Sequence, residues 1–217
     1  KVIVHGFDRP NLYFSVQRSL DKERSLIDFL AKHKNECGII YCATRNKVEQ
    51  VTKILVKQGY LALRYHAGLT PEERQSNQDY FVKGQVQIIV ATNAFGMGID
   101  KADVRFVVHY NMPKDIESYY QEAGRAGRDG KQAECLLLYD KSDIAVNTYL
   151  IGHDQPDLEW KDKELKLLDK MIVYCNTSGC LRKYLLEYFG ERVASSCNNC
   201  GNCSQTKNAT WRRFLKL

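Results

Sequence analysis

The strongest constraint on this chain is a series of short, mostly apolar runs that alternate with longer amphipathic ones. CGIIY, YLALRYH, VQIIVAT, VRFVVHY and AECLLLYD each have strand length and little polar alternation. Such runs suit strands buried on both faces. Between them lie helical patterns. LDKERSLIDFLAKHK sets Leu20, Leu26, Ile27, Leu30 and Ala31 on one face. TRNKVEQVTKILVKQG has Thr44 as N-cap and Gly59 to close it. TPEERQSNQDYFVKG has Thr70 as N-cap, Pro71 at the first helical position and Glu73 to complete a capping box. PKDIESYYQEAG is a fourth helix. Strand and helix in alternation predict an α/β fold, a parallel sheet covered on both faces.

In such sheets function gathers on loops beyond the carboxyl ends of the strands. CATRN, HAGLT and ATNAFGMGIDKAD follow predicted strands, whereas GRAGRDG follows a helix. Thr44 and Arg45 stand at a helix N-terminus, where anions are favoured. His66 and Gly68 sit similarly after the next strand, and His66 on its own reads as a structural histidine. Thr92 and Asn93, with Gly96 and Gly98 after them, offer a hydroxyl and backbone amides suited to a phosphate. Asp100 offers an acceptor for a sugar hydroxyl. Arg125 and Arg128 stand among Gly124, Gly127 and Gly130. Arginine grips phosphate oxygens through a planar fork, and glycine removes the side chains that would hold a ligand away. No G-x-x-x-x-G-K-[ST] phosphate loop and no acidic metal-binding box occur, so the arginine loop reads as one that completes another domain's nucleotide site.

After residue 141 the strand pattern stops. KSDIAVNTYLIGH, KDKELKLLDKMIVYC and GCLRKYLLEYFG read as helices, with DQPDLEW as a connection. Leu165, Leu168, Met171 and Ile172 share a face, and Gly190 ends the last helix. The expectation is a smaller helical unit ending in CNNCGNC. Three of the eight cysteines, Cys37, Cys42 and Cys135, lie in apolar runs and read as buried thiols. Cys197, Cys200 and Cys203 have the two-residue spacing that lets thiolates converge on one tetrahedral ion. Cys180, at a helix start, is preferred as the fourth ligand, with Cys175 as competitor. Four sulfur ligands leave no open position, so the ion would be structural zinc.

Composition excludes little. The chain has 217 residues, 44% hydrophobic and 27% charged, as in an ordinary globular protein. Its net charge of +6 tilts weakly towards anionic partners. No apolar run approaches the roughly 18 residues of a membrane helix, so no membrane partner is expected. Lys1 and the strand-like KVIVHGF suggest a piece of something longer.

The loops, in this order, resemble the second RecA-like motor domain of superfamily 2 helicases. IIYCATRNKVE resembles motif IV, YHAGL the motif after it, VATNAFGMGIDKADVRFVVHYNMP motif V and ESYYQEAGRAGRDG motif VI. AFGMGIDK with SYYQEAGRAGRDG, followed by Cys180 and CNNCGNC, resembles the RecQ DNA helicases, and FDRPNLYF resembles the segment leading into this domain there. The resemblance implies a RecA-like motor domain over 1–145, a zinc-binding helical subdomain over 146–205 and a tail or truncated linker over 206–217. It implies that Arg128 reaches the γ-phosphate of ATP, that Arg125 and Gln121 support it, and that Asp100 approaches the ribose. Thr44, Arg45, His66, Thr92 and Asn93 would line single-stranded DNA. Cys180, Cys197, Cys200 and Cys203 would hold zinc. ATP and Mg2+ would be bound mainly by a first motor domain in cis, which these residues lack, so the isolated chain is expected to be inactive. The family works in the 3′ to 5′ direction in DNA repair and recombination, in the bacterial cytoplasm at the nucleoid or in the nucleus of a eukaryote. The rival readings are a non-catalytic zinc-containing nucleic-acid-binding module and an RNA helicase of the same superfamily.

Overall fold

The computed structural model describes residues 6–96, 100–154, 157–193 and 196–204. Six strands, β1 (Leu12–Arg18), β2 (Gly38–Tyr41), β3 (Ala62–Tyr65), β4 (Ile88–Ala91), β5 (Phe106–His109) and β6 (Ala133–Tyr139), form one sheet in the order β1-β6-β5-β2-β4-β3. Every pairing is parallel. Parallel neighbours need a crossover, and the helices α1 (Lys22–Leu30), α2 (Arg45–Lys57), α3 (Pro71–Val82) and α4 (Ile116–Ala123) supply crossovers within the sheet. Adjacent strand residues divide between two cores. Ile40, Val90 and Val108 face α1 and α2, while Ile39, Ile89 and Val107 face α3 and α4.

The local signals hold at most helix starts. Thr44 Oγ1 accepts from the Lys47 amide at 3.2 Å, and Thr70 Oγ1 accepts from the Glu73 amide at 3.2 Å. The Glu73 carboxylate accepts instead from Arg64, so the expected capping box is drawn into a cross-element ion pair. Leu20 departs from its expected place. Asp21 caps α1, which leaves Leu20 before the helix and 99% exposed, and Phe29 fills the core face. FDRPNLYF, read only as a lead-in, runs into the edge strand β1, LYFSVQR. The stretch expected as a connection already contains the start of α6, capped by Asp157. Of the strand-like opening, residues 1–5 lie outside the described residues, as do Gly98 and the tail 206–217; Phe7 is not in a strand.

The smaller helical unit consists of α5 (Ser142–Asp154), α6 (Leu158–Asn176) and α7 (Leu181–Tyr188). It shares the core of the sheet. Ile151, Leu168, Met171, Tyr174 and Leu185 belong to one cluster with Phe14, Val107 and Tyr119. Arg182 of α7 is 5% exposed and anchors this packing. It donates to Asp8 at 2.7 Å and to the carbonyls of Arg9 and Leu12, with its guanidinium over the Phe14 ring. Replacing Arg182 with Met strands these buried carbonyls, so chemical denaturation should show a loss of about 2–3 kcal/mol. A Met variant as stable as the parent would remove Arg182 as the anchor.

Candidate functional site

Strands β2, β4 and β3 are neighbours, so the three loops after them lie side by side on the carboxyl edge. Thr44 is committed to capping α2, and Arg45 beside it is exposed. The glycine at position 68 lets Arg45 lie against the next loop: a Cβ there would stand 3.3 Å from its Cδ. His66 is 5% exposed and both ring nitrogens are engaged, Nε2 with Glu49 at 2.9 Å and Nδ1 accepting from the Gly68 amide at 3.2 Å. It shapes its loop and presents no side-chain donor to solvent, in line with a structural histidine. Thr92 is 9% exposed, its hydroxyl accepting from the Ala94 amide, while Asn93 is open to solvent.

The arginine loop lies at the other edge. The Gly127 amide donates to Val104 just before β5, and the Ala133 amide donates to Asn11 just before β1. Sequence reasoning placed function at the carboxyl edge; this fourth loop follows a helix and therefore returns to the amino edge. Gly127 has φ +56°, and a Cβ there would stand 2.5 Å from Asn11 Nδ2, so only glycine fits. Arg128 is 38% exposed and lies 3.7 Å from Asp100, itself 93% exposed. Both side chains of this ion pair reach solvent. Arg105 bonds Asp129 at 2.7 Å and holds its carboxyl below the usual range. Gln121 is exposed near the end of α4.

Residues 92–96 leave the carboxyl edge after β4, and residues 100–104 approach the amino edge before β5. The first stretch is tied down where the Tyr41 hydroxyl donates to the Phe95 carbonyl at 3.0 Å. Arg125, half-buried, donates to the Gly96 carbonyl, and a Cβ at position 96 would overlap its guanidinium. Its Nε has no hydrogen-bond partner among the described residues. Further on, Lys101 is 9% exposed, pairs with Asp103 at 3.0 Å and lies over Phe81.

The four cysteines of the C-terminal cluster converge. The sulfurs of Cys180, Cys197, Cys200 and Cys203 all lie within 4.8 Å of one another, with 4.0 Å between Cys180 and Cys200. Tetrahedral zinc with bonds of about 2.3 Å needs sulfurs roughly 3.8 Å apart, so the set fits the ion. Backbone amides support it: Lys183 donates to Cys180 and Asn199 to Cys197. Burial pushes the Cys197 thiol up to about 12. Burial also acts on Cys203, but the Ser196 hydroxyl and neighbouring thiols bring it down to about 6. Cys175 is instead 3% exposed in the core, where burial raises its thiol well above the usual value.

The fold and loops define a RecA-like helicase motor domain with a closed four-cysteine metal site. The helicase conserved C-terminal domain profile matches residues 21–130, and RecQ zinc-binding matches 141–204. The chain belongs to the RecQ helicase family. It is 45% identical to the ATP-dependent DNA helicase RecQ of Bacillus subtilis over 94% of this chain and 34% of that protein. It is 41% identical to the protein of that name from Haemophilus influenzae, over 92% of this chain and 32% of the other. An ATP-dependent DNA helicase of Schizosaccharomyces pombe is 46% identical over 86% of this chain and 14% of its own length. The chain thus spans about a third or less of these relatives. Among solved structures, E. coli DEAD-box protein SrmB bound to RraA shares the fold, with TM-score 0.55 and 21% identity over 64% of this chain and 85% of that one.

Sequence reasoning missed Arg9, Asn11 and Arg182, which position the arginine loop and α7. The string FDRPNLYF was visible, but nothing local marks its arginine as a partner of residues more than a hundred positions away. The cysteine assignment is directly testable. Cys180→Ser should retain less than about half the bound zinc per chain and melt earlier, since metal binding is coupled to folding. Cys175→Ser should keep the full zinc content and lose about 1–3 kcal/mol from burying a hydroxyl. Metal analysis with thermal unfolding separates the two, and the reverse pattern would exchange the roles of the two cysteines.

Proposed function

We propose that this chain is the second motor domain and zinc unit of an ATP-dependent DNA helicase that unwinds duplex DNA in the 3′ to 5′ direction during repair and recombination. The observation that carries the reading is the placement of the loops at two edges. Arg45, Thr92 and Asn93 stand at the carboxyl edge, Asp100 and Arg128 at the amino edge, and Arg125 of the arginine loop holds the Gly96 carbonyl. The carboxyl-edge loops would grip the backbone of single-stranded DNA, with Thr44 fixing the turn that presents Arg45. Backbone contacts let a motor step without reading sequence. His66 contributes by shaping the neighbouring loop.

At the amino edge, Arg128 would reach the γ-phosphate of ATP held, with its Mg2+, mainly by a first motor domain in cis. Asp100 would release Arg128 to accept the ribose. The guanidinium forms no covalent bond; it stabilises charge that develops as the phosphoryl group transfers. Arg125 and Gln121 support this geometry, Arg125 by holding Gly96 in register with the arginine loop. When the shared phosphate is lost, the domains part, and the contact of Arg125 with the Gly96 carbonyl would couple that shift to the strand-gripping loop that begins at Thr92. Zinc held by Cys180, Cys197, Cys200 and Cys203 would supply a cross-link and no chemistry. The protein would act where DNA is, at the nucleoid or in the nucleus.

In the longer protein where this chain follows a phosphate-loop domain, Arg128→Ala should lower DNA-stimulated ATP turnover by about a thousandfold. ATP affinity should change less than about threefold, since the arginine acts on the transition state. Undiminished turnover would remove Arg128 from this role.

A further inference from the structure

Residues 7–11 lie between the arginine loop and α7 and bond to both. On one side, Arg9 donates from Nη1 to the Gly124 carbonyl at 3.2 Å and from Nη2 to those of Ala126 and Gly127 at 3.0 and 2.9 Å. Asn11 adds donations to Gly127 and Lys131, each at 2.8 Å. Five bonds from two side chains therefore fall on the backbone carbonyls that bracket Arg125 and Arg128. A loop in which Gly127 adopts a positive φ has few side-chain contacts of its own, so its shape depends on such outside donors.

On the other side the segment is held by the zinc unit. Arg182 of α7 bonds Asp8 and the Arg9 carbonyl, Asn199 between two cysteine ligands donates to the Pro10 carbonyl at 3.0 Å, and Phe7 stacks on Phe189 at 4.6 Å. The guanidinium of Arg9 points into the arginine loop while its carbonyl is fixed by α7. Within the described residues, these bonds give the zinc unit a continuous route to the arginine loop.

We infer that Arg9 is a positioning residue for the arginine loop, and that the zinc-binding unit sets the loop's geometry through Arg182 and residues 7–11. Its consequence for turnover rests on the reading of Arg128 given above; the clasp itself does not. The zinc unit is then more than a fold stabiliser, because a change in how α7 sits moves Arg9 and with it Arg128. Guanidinium planarity matters here. Three carbonyls in an arc suit the fork of arginine, whereas lysine offers a point charge that satisfies fewer of them.

Hydrogen exchange on this zinc-loaded chain tests the clasp without any activity. In Arg9→Gln, amides of peptides covering 122–131 should exchange at least about tenfold faster, reporting local opening, while 196–204 stays protected. Arg182→Met should loosen the same peptides by a similar factor with one zinc per chain retained. If Arg9→Gln is poorly folded by circular dichroism, Arg9→Lys should give an intermediate rate. Unchanged exchange at 122–131 in the folded Arg9 variants overturns the inference. A change for Arg9 but none for Arg182→Met overturns its zinc-unit half. In the longer enzyme, Arg9→Gln should lower kcat by about tenfold at unchanged KM for ATP, as misplacement of a catalytic group predicts. Faster exchange with intact kcat leaves the clasp standing and overturns the role given to Arg128.

Discussion

A wholly parallel sheet, buried on both faces, is the constraint from which the rest follows. Parallel neighbours cannot be joined by tight turns, so each crossover must carry the chain from one edge back to the other, through α1, α2, α3 and α4 in four cases and through the segment between β4 and β5 in the fifth. Loops after strands and loops after helices are thereby sorted to opposite edges. The strand-following loops with Arg45 and Asn93 collect at one edge, and the helix-following loop with Arg125 and Arg128 is delivered to the other. Under the function proposed above, this separation would let nucleotide and nucleic acid be met by different edges of one sheet.

Rigidity between the edges comes from polar groups placed where water is excluded. Tyr41 at the end of β2 fixes the Phe95 carbonyl, and Glu122 of α4 bonds His109 of β5 at 2.9 Å with both groups buried. Asp143 is 2% exposed and accepts from Lys22, Asn111 and the Met112 amide, tying α5 to α1 and to the loop after β5. Buried polar groups favour the geometry that pairs them, so such networks restrict the alternatives, although His109 Nδ1 finds no hydrogen-bond partner among the described residues.

The zinc unit also resolves a difficulty at the sheet margin. β1 is an edge strand, and its outer side would expose unpaired backbone groups. Cys200 bridges Phe14, and Gly201 packs against Ser15 so closely that a Cβ there would stand 3.2 Å from Ser15 Cβ. The metal-binding turn therefore covers part of that edge. Its hydrophobic partners are those of the sheet, which is why the helical unit appears in one core with it.

Much was legible along the chain because the signals were local. Apolar runs marked β2, β4, β5 and β6, capping side chains marked α2 and α3, and the spacing of Cys197, Cys200 and Cys203 marked a metal site. β1 escaped because Ser15 and Gln17 break its apolar run, as an edge strand permits. Leu20 misled because a cap at Asp21 outweighed its place in the helical period. The sequence by itself determined the α/β class and the family loops, and it already preferred Cys180 to Cys175 beside Cys197, Cys200 and Cys203. Only the tertiary structure brought those four sulfurs together, set the arginine loop opposite the strand-following loops, and joined Arg9 and Arg182 to one segment. Spacing encodes what neighbours along a strand or helix can do. Contacts across more than a hundred residues are set by strand order and by which helices share a face of the sheet.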